Sequence, residues 1–267
     1  MVLFGNIGNR RFSVAVYSDE RKKLASFRLY TDKTKSSLEY QESLAQFFSF
    51  YGIDPKAIGG GLLSSVVPSM THRILEAMEE LTQAKIFLLD RSVKTGLAIR
   101  QDSPSEVGSD LLALAVGAVD DYRTDVFIAY FSACTCFLVA DRESEFLGGA
   151  IGPGLAESAE ETFTENALLR EVPLGPVRRY IGKNTEESLN AGLIGGFSAM
   201  AEGMADRMEK EAGRPLLRIL TGPAAKVLAT PLSESFVYAP DLLFDGMYDI
   251  LERTRKEKEK KHESSKK

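Results

Sequence analysis

The chain has 267 residues, 44% of them hydrophobic, which is enough for one large domain or two smaller ones. No apolar run approaches the ~18 residues of a membrane span, the opening Met1-Val2-Leu3-Phe4-Gly5 lacks the basic region and cleavage-like site of a secretory leader, and two histidines, His72 and His262, argue against histidine-built acid–base or metal chemistry. The net charge of −5 hides eight Lys/Arg against three Asp/Glu at 253–267, so the rest carries about −10, which argues against nucleic-acid binding by the folded surface.

In chain order, apolar and alternating runs predict strands at 2–7, 11–18 and 24–30. Ser36-Ser37-Leu38-Glu39 has the spacing of a capping box and predicts a helix to about Tyr51. A glycine-bearing apolar run, 58–67, predicts a buried strand. Pro68 opens a helix through Leu81, and 86–89 is a further strand. A loop is expected from Val93 to Pro104, and a helix from Ser105 through Tyr122.

The pattern then restarts. Strands are predicted at 125–131, 134–141 and 144–151, and a helix from Pro153 to about Leu169. A long helix capped at Asn184-Thr185-Glu186-Glu187 is expected to reach Glu211. A strand at 216–221, a short helix, a strand at 236–238 and a final helix from Asp241 complete the series. Each half is a three-strand meander followed by helix–strand alternation, the mark of a duplicated α/β architecture. The expected division is 1–122, 123–252 and a charged, disordered tail at 253–267.

Each meander holds one tight turn. Gly5-Asn6-Ile7-Gly8-Asn9-Arg10 lies in the first, and Tyr130-Phe131-Ser132-Ala133-Cys134-Thr135-Cys136 in the second. Backbone N–H groups in such turns can point at an anion. A phosphate site also wants glycines for close approach, hydroxyls, and an acid to hold a metal. Both turns keep the outline and lack much of that chemistry. Cys134 and Cys136, two apart on one strand, are poorly placed for a disulfide and too few for a structural zinc site, which fits a reduced, cytoplasmic location.

Short segments along nearly the whole chain carry a resemblance. They are Gly8-Asn9, Thr31-Asp32 with Glu39-Tyr40, Ser64-Ser65-Val66-Val67-Pro68, Lys94-Thr95-Gly96-Leu97 and Val107-Gly108-Ser109-Asp110. They continue with Leu147-Gly148-Gly149, Pro153-Gly154, Ile181-Gly182-Lys183-Asn184-Thr185, Thr221-Gly222 and Pro240-Asp241-Leu242. In this order and spacing the chain resembles the type III pantothenate kinases of the acetate and sugar kinase/Hsp70/actin superfamily. The resemblance implies a duplicated ribonuclease H-like (actin-like ATPase) α/β fold with two halves around a cleft. It implies phosphorylation of pantothenate by ATP, the first step toward coenzyme A, in dimers whose pantothenate sites draw on both subunits. ATP and Mg²⁺ follow as expected cofactors, and the resemblance allows a monovalent cation.

The departures from the family pattern fall on the two turns and the substrate pocket. Asn6 stands where the family carries aspartate, and Arg10 where it carries threonine. In the second turn, Tyr130 replaces an acid, Ser132 a glycine, and Ala133 and Cys136 replace hydroxyls; Thr135 persists. Leu111 occupies the place of an arginine for the substrate carboxylate, and Gln101 that of a tyrosine. Asp110 matches the carboxylate that accepts the substrate hydroxyl's proton, against which stands its reading as a helix first-turn acid. Thr185 matches a threonine that reaches into the neighbouring subunit's pocket, and is otherwise a residue beside a helix cap.

The expected site is therefore Asp110 for catalysis; Asn6, Gly8, Asn9, Arg10, Ser132, Thr135 and Gly222 for cofactor; and Gly108, Leu111, Gln101 and Thr185 for substrate or interface. No metal ligands are expected. The leading reading is a subunit that is non-catalytic alone and completes the site of an intact paralogous partner, which would bind ATP, Mg²⁺ and most of pantothenate. The alternatives are a self-sufficient homodimeric kinase with altered phosphate contacts, and a catalytically dead ligand-sensing or regulatory protein. Neither nucleic acid nor membrane is an expected partner.

Overall fold

The computed structural model describes residues 1–90, 93–164 and 171–264, with side chains as far as residue 257. Two sheets organise the chain. In the first, β1 (Val2–Ile7), β2 (Arg11–Tyr17) and β3 (Lys23–Tyr30) form the antiparallel meander. β4 (Gly61–Ser65) adds parallel to β1, and β5 (Ile86–Leu88) parallel to β4, giving the order β3-β2-β1-β4-β5. All of β1 is buried, as a strand covered on both faces should be, and this accounts for its near-continuous apolar run. Gly5 is required there: a Cβ would lie 2.8 Å from Leu63 Cδ1.

The second sheet repeats the plan. β7 (Val126–Phe131), β8 (Cys134–Ala140) and β9 (Glu145–Pro153) are the meander, and β10 (Leu217–Thr221) and β11 (Val237–Tyr238) add in parallel. Its order is β11-β10-β7-β8-β9-β6, where β6 is Ala98–Ile99. Without β6 this is the strand order of the first sheet, so the duplication expected from the sequence is present in the topology.

The helices are α1 (Ser37–Phe50), α2 (Pro68–Thr82), α3 (Ser109–Tyr122), α4 (Leu155–Thr164), α5 (Thr185–Asn190), α6 (Gly196–Ala212) and α7 (Leu242–Ser264). The capping box at Ser36 forms in full: its hydroxyl accepts from Glu39 N, and Glu39 Oε2 accepts from Ser36 N. Among the described residues no helix is long and apolar enough to cross a membrane.

Several elements differ from expectation. The stretch expected as a loop at 93–104 contains β6 (Ala98–Ile99), paired with β9. Two residues carry too little pattern to be read as a strand. α3 starts at Ser109 rather than Ser105, because residues 104–106 form a separate 3₁₀ turn and Gly108 O accepts from the Leu111 and Leu112 amides. The single helix expected from 185 to 211 carries a π-helical turn at Ala191–Gly195 between α5 and α6, within a glycine-rich stretch. The expected end of the helix opening near Pro153 lies outside the described residues. Finally, α7 continues to Ser264, where disorder was expected; its mixed Lys and Glu sequence is helix-compatible. Residues 265–267 lie outside the description.

The chain groups into two compact units that are not consecutive halves. One holds Met1–Leu97, Ser103–Gly117 and the chain from Phe244 onward; the other holds Ala98–Asp102 and Ala118–Leu243. α7 joins the first unit because its buried face docks there. Tyr17 Oη donates to Asp245 Oδ1 at 3.0 Å, Arg21 pairs with Asp249 at 2.8 Å, and Phe4 meets Tyr248 edge-on. Each unit has its own apolar core.

Candidate active site

In the first unit the glycine turn joins β1 to β2. Gly8 N donates to Arg11 O at 2.9 Å and closes it. Thr31 pins it from the end of β3: its hydroxyl donates to Gly8 O at 2.7 Å, and its amide to Arg10 O at 3.0 Å. Asn9 and Arg10 are exposed at the tip. Asn6 lies at the carboxyl end of β1 and is only 5% exposed; its Oδ1 is buried and accepts no hydrogen bond from the described residues. An orphaned buried acceptor costs about 1–3 kcal/mol, so this side chain is not placed for stability.

Asn6 is in register with Ser64 on β4. The Ser64 hydroxyl lies 2.8 Å from that of Ser109, the first residue of α3, and Ser109 Oγ also accepts from Ser65 N at 3.3 Å. The ends of two parallel strands are thus tied to the start of a helix, the place where open α/β sheets bind ligands. Asp110 follows on α3. Its Oδ1 accepts from Leu111 N at 3.0 Å, and burial pushes the carboxyl up from the ordinary carboxylate value. Gly108 makes room for it, since a Cβ there would sit 2.7 Å from Asp110 Oδ1. Leu111 is half-buried beside it.

In the second unit, the matching turn joins β7 to β8, and Ser132 N donates to Cys134 O at 3.0 Å. Gly222, after β10, backs this turn at φ +108°; a Cβ would collide with the Phe131 carbonyl oxygen and come within 2.9 Å of its carbon. Ala224 N donates to the same carbonyl at 3.1 Å. Gly154 abuts Ala133 O and the Glu157 carboxylate. Thr135 is fully buried and donates to Pro153 O at 2.8 Å, so its hydroxyl ties β8 to β9. Tyr130, at the place of the family's acid, is buried on β7. Cys134 is exposed and Cys136 buried.

Gln101 lies over Gly148 of β9, its Nε2 3.3 Å from where a Cβ would stand on that φ +130° residue. Thr185 is exposed as the first residue of α5, behind the Asn184 cap that accepts from Glu187 N at 2.9 Å. Glu187 in turn accepts from Lys183 N and pairs with Arg179 at 3.4 Å.

The expected residues therefore assemble by unit. Asn6, Gly8, Asn9, Arg10, Gly108, Asp110 and Leu111 belong to the first; Ser132, Thr135, Gly222, Gln101 and Thr185 belong to the second. Sequence reasoning did not assign Thr31, Ser64 and Ser109 to the site, though all three lie in segments that carry the resemblance. Among the described residues, no group of three or more His, Cys, Asp or Glu side chains is placed to hold a metal ion.

Comparison with known proteins shows the family. The family model for type III pantothenate kinase matches residues 2–207. The type III pantothenate kinase of Listeria monocytogenes is 31% identical over 260 residues, covering 97% of this chain and 100% of the relative. That of a Roseiflexus species is 32% identical over 255 residues, covering 96% and 100%. Among solved structures, the activator of the 2-hydroxyisocaproyl-CoA dehydratase from Clostridium difficile with bound ADPNP superposes with a TM-score of 0.58 at 11% identity, covering 98% of this chain and 97% of that one. A ROK family glucokinase from Streptomyces griseus in complex with glucose and AMPPNP gives 0.53 at 11% identity, covering 96% and 99%. These two support the fold alone, a duplicated ribonuclease H-like arrangement of the actin-like kinases. By the extent of the family match and the identity to full-length relatives, the chain belongs to the type III pantothenate kinase family.

Proposed function

We propose that this chain is a subunit of a pantothenate kinase that cannot turn over ATP by itself and completes the site of an intact family member. The observation that carries the reading is Asn6. Its position at the end of β1 puts a neutral amide, buried and with its oxygen accepting from none of the described residues, where the family places a carboxylate. Tyr130 is likewise a buried phenol in the place of an acid. Divalent metals of the Mg²⁺ class require hard anionic oxygens, which neither residue supplies, so the donor set does not fit a resident metal–triphosphate.

The same chain keeps an exposed Thr185 on a well-capped helix start. Donation of Thr185 to the partner's pantothenate pocket follows from the family's shared-site geometry. The partner supplies ATP, Mg²⁺ and most of the pantothenate contacts.

A second reading, a self-sufficient homodimer, is favoured by Asp110. A desolvated carboxylate of raised pKa is suited to accept the proton of a substrate hydroxyl, and Arg10 would then meet the phosphates directly. The test is a kinase assay on the purified chain, alone and mixed with an intact type III enzyme. The expected result is negligible turnover alone and higher activity in the mixture, with the gain lost in Thr185→Ala. Full activity of the chain alone ends the subunit reading in favour of the homodimer.

A further inference from the structure

The outer end of the first meander carries two cations that no acid answers. Arg11 opens β2 and is in register with Tyr30, the last residue of β3. Its guanidinium lies over the Tyr30 ring, with Cζ 3.9 Å from the centroid, and Tyr30 is still 70% exposed. Arg28 stands two residues back on β3, so it shares that face, and its register partner is Ser13 of β2. Arg11 and Arg28 are thus a diagonal cross-strand pair, about 7–8 Å apart and within joint reach of one small ligand. Both are exposed, and Ser13 on the same face is half-buried. β3 is the edge strand of its sheet, so no further strand lies beyond Arg28 and Tyr30.

Among the described residues neither arginine pairs with a carboxylate, whereas Arg21, Lys85 and Arg218 do so at 2.8, 3.0 and 2.7 Å. Asp32, the acid next along the chain from Tyr30, has its Oδ1 engaged by the amide and hydroxyl of Thr34. The strand ends are fixed, because Thr31 donates from its amide to Arg10 O and from its hydroxyl to Gly8 O. We propose that this face, with Arg11, Ser13, Arg28 and Tyr30, binds a phosphate-bearing small anion without a metal ion. Stacking uses the flat side of the Arg11 guanidinium and leaves its in-plane N–H donors to a ligand. A phosphate has oxygens in several directions, so one group can meet both guanidiniums and the Ser13 hydroxyl. Two sources share this chemistry: a plain polyphosphate, and a nucleotide whose base would stack on the exposed Tyr30 ring. None of the four residues belongs to the expected pantothenate or cofactor site, so the assignment does not depend on the kinase reading.

The test is calorimetric titration of the full chain in EDTA, with inorganic pyrophosphate and separately with ADP. Both should bind with a midpoint below about 1 mM. Arg11→Ala and Arg28→Ala should each weaken binding about tenfold, the scale of one lost charge-assisted contact. Both side chains are exposed, so the variants should keep the wild-type melting temperature, which is measured alongside. Equal affinity for the two probes supports a phosphate site alone. Tighter ADP, with the difference lost in Tyr30→Leu, supports a nucleotide site. Failure of both probes to bind in EDTA overturns the proposal, and so does binding that survives the double variant Arg11→Ala, Arg28→Ala. Citrate, an anion of comparable charge, binding as tightly as pyrophosphate overturns the assignment to phosphate.

Discussion

The hydroxyls of Ser64 and Ser109 lie 2.8 Å apart and join the end of β4 to the first residue of α3. This contact holds Asp110 beside the end of β4, with Gly108 giving its carboxylate room and the backbone amides of Leu111 and Asp110 itself donating to it. A carboxylate that could be solvated more cheaply elsewhere is kept in a place that penalises its charge. That arrangement costs stability whenever the carboxyl is ionised.

Asp110→Asn should therefore stabilise the fold. Burial raises the carboxyl's pKa in the folded state above its unfolded value, so the folded chain holds the proton more tightly. Stability contributed by Asp110 is full below the unfolded pKa and is lost as pH rises through the folded pKa. At neutral pH the substitution should raise stability by about 1 kcal/mol, seen as about 2–4 °C in melting temperature. The gain should vanish below pH 4 or so, near the ordinary carboxylate value. Melting curves from pH 3 to 8 check this; a wild type and variant that track each other over the whole range would refute the assigned burial cost.

Asn6→Asp restores a carboxylate at the buried end of β1. Without metal it should destabilise the chain by about 1–3 kcal/mol, because a charge replaces an amide at a position 5% exposed whose Oδ1 accepts from none of the described residues. If loss of this acid is what prevents a metal–triphosphate from seating, Mg²⁺ with ATP should recover part of that loss in the variant and do little for the wild type. Thermal shift with ATP, Mg²⁺ and both together separates the cases. Equal response of the two proteins would mean that Asn6 is not the limiting change.

Much of this was legible in the sequence, and the reasons differ by element. The meanders were readable because β1 and β7 are covered on both faces and so are almost continuously apolar. The Ser36–Glu39 capping box was readable because it is a local exchange of hydrogen bonds. The turns announced themselves by glycine. What could not be read were features set by distant chain. β6 exists only through its pairing with β9, and α7 joins the first unit only through contacts such as Tyr17 with Asp245 and Arg21 with Asp249. Asn6 and Asp110 were singled out through the family resemblance. The Ser64–Ser109 contact was not, because it spans 45 residues and neither serine has an unusual neighbour. The Thr135 hydroxyl, expected among the cofactor contacts, donates to Pro153 O and ties β8 to β9; a hydroxyl's direction is not written in its spacing.

Gly222→Ala tests the second turn. Its φ of +108° is open to glycine and costly for alanine, and the added methyl would collide with the Phe131 carbonyl. Strain and collision together should cost about 2–4 kcal/mol. Gly213→Ala is the fitting comparison: it also has positive φ, +68°, but nothing lies within 4 Å of the added methyl. It should cost only about 1 kcal/mol. Urea denaturation of both variants gives the difference. Equal losses would mean that backbone strain alone matters and that Gly222 does not pack against the turn.

Arg214 bridges two buried acids at the opposite end of the second sheet from that turn. Its Nη2 is 3.2 Å from Asp141 Oδ2 and its Nε 3.7 Å from Asp125 Oδ2, and the two carboxylates are only 7% and 8% exposed. Both acids also accept backbone amides, Asp125 from Arg142 and Asp141 from Glu145, which fixes the β8–β9 hairpin. Removing the arginine takes from Asp141 the cation that pairs with it at 3.2 Å and leaves Asp125 with the Arg142 guanidinium at 3.8 Å, and breaking a buried pair costs about 3–5 kcal/mol. Arg214→Ala should lose about that much at pH 7, and Arg214→Met, which keeps the apolar stem, should lose little less. The triple variant with Asp125→Asn and Asp141→Asn should recover most of it, because the penalty comes from uncompensated charge rather than from lost packing. Denaturation midpoints for the three variants decide this: failure of the triple variant to recover stability would assign the role of Arg214 to packing of its stem.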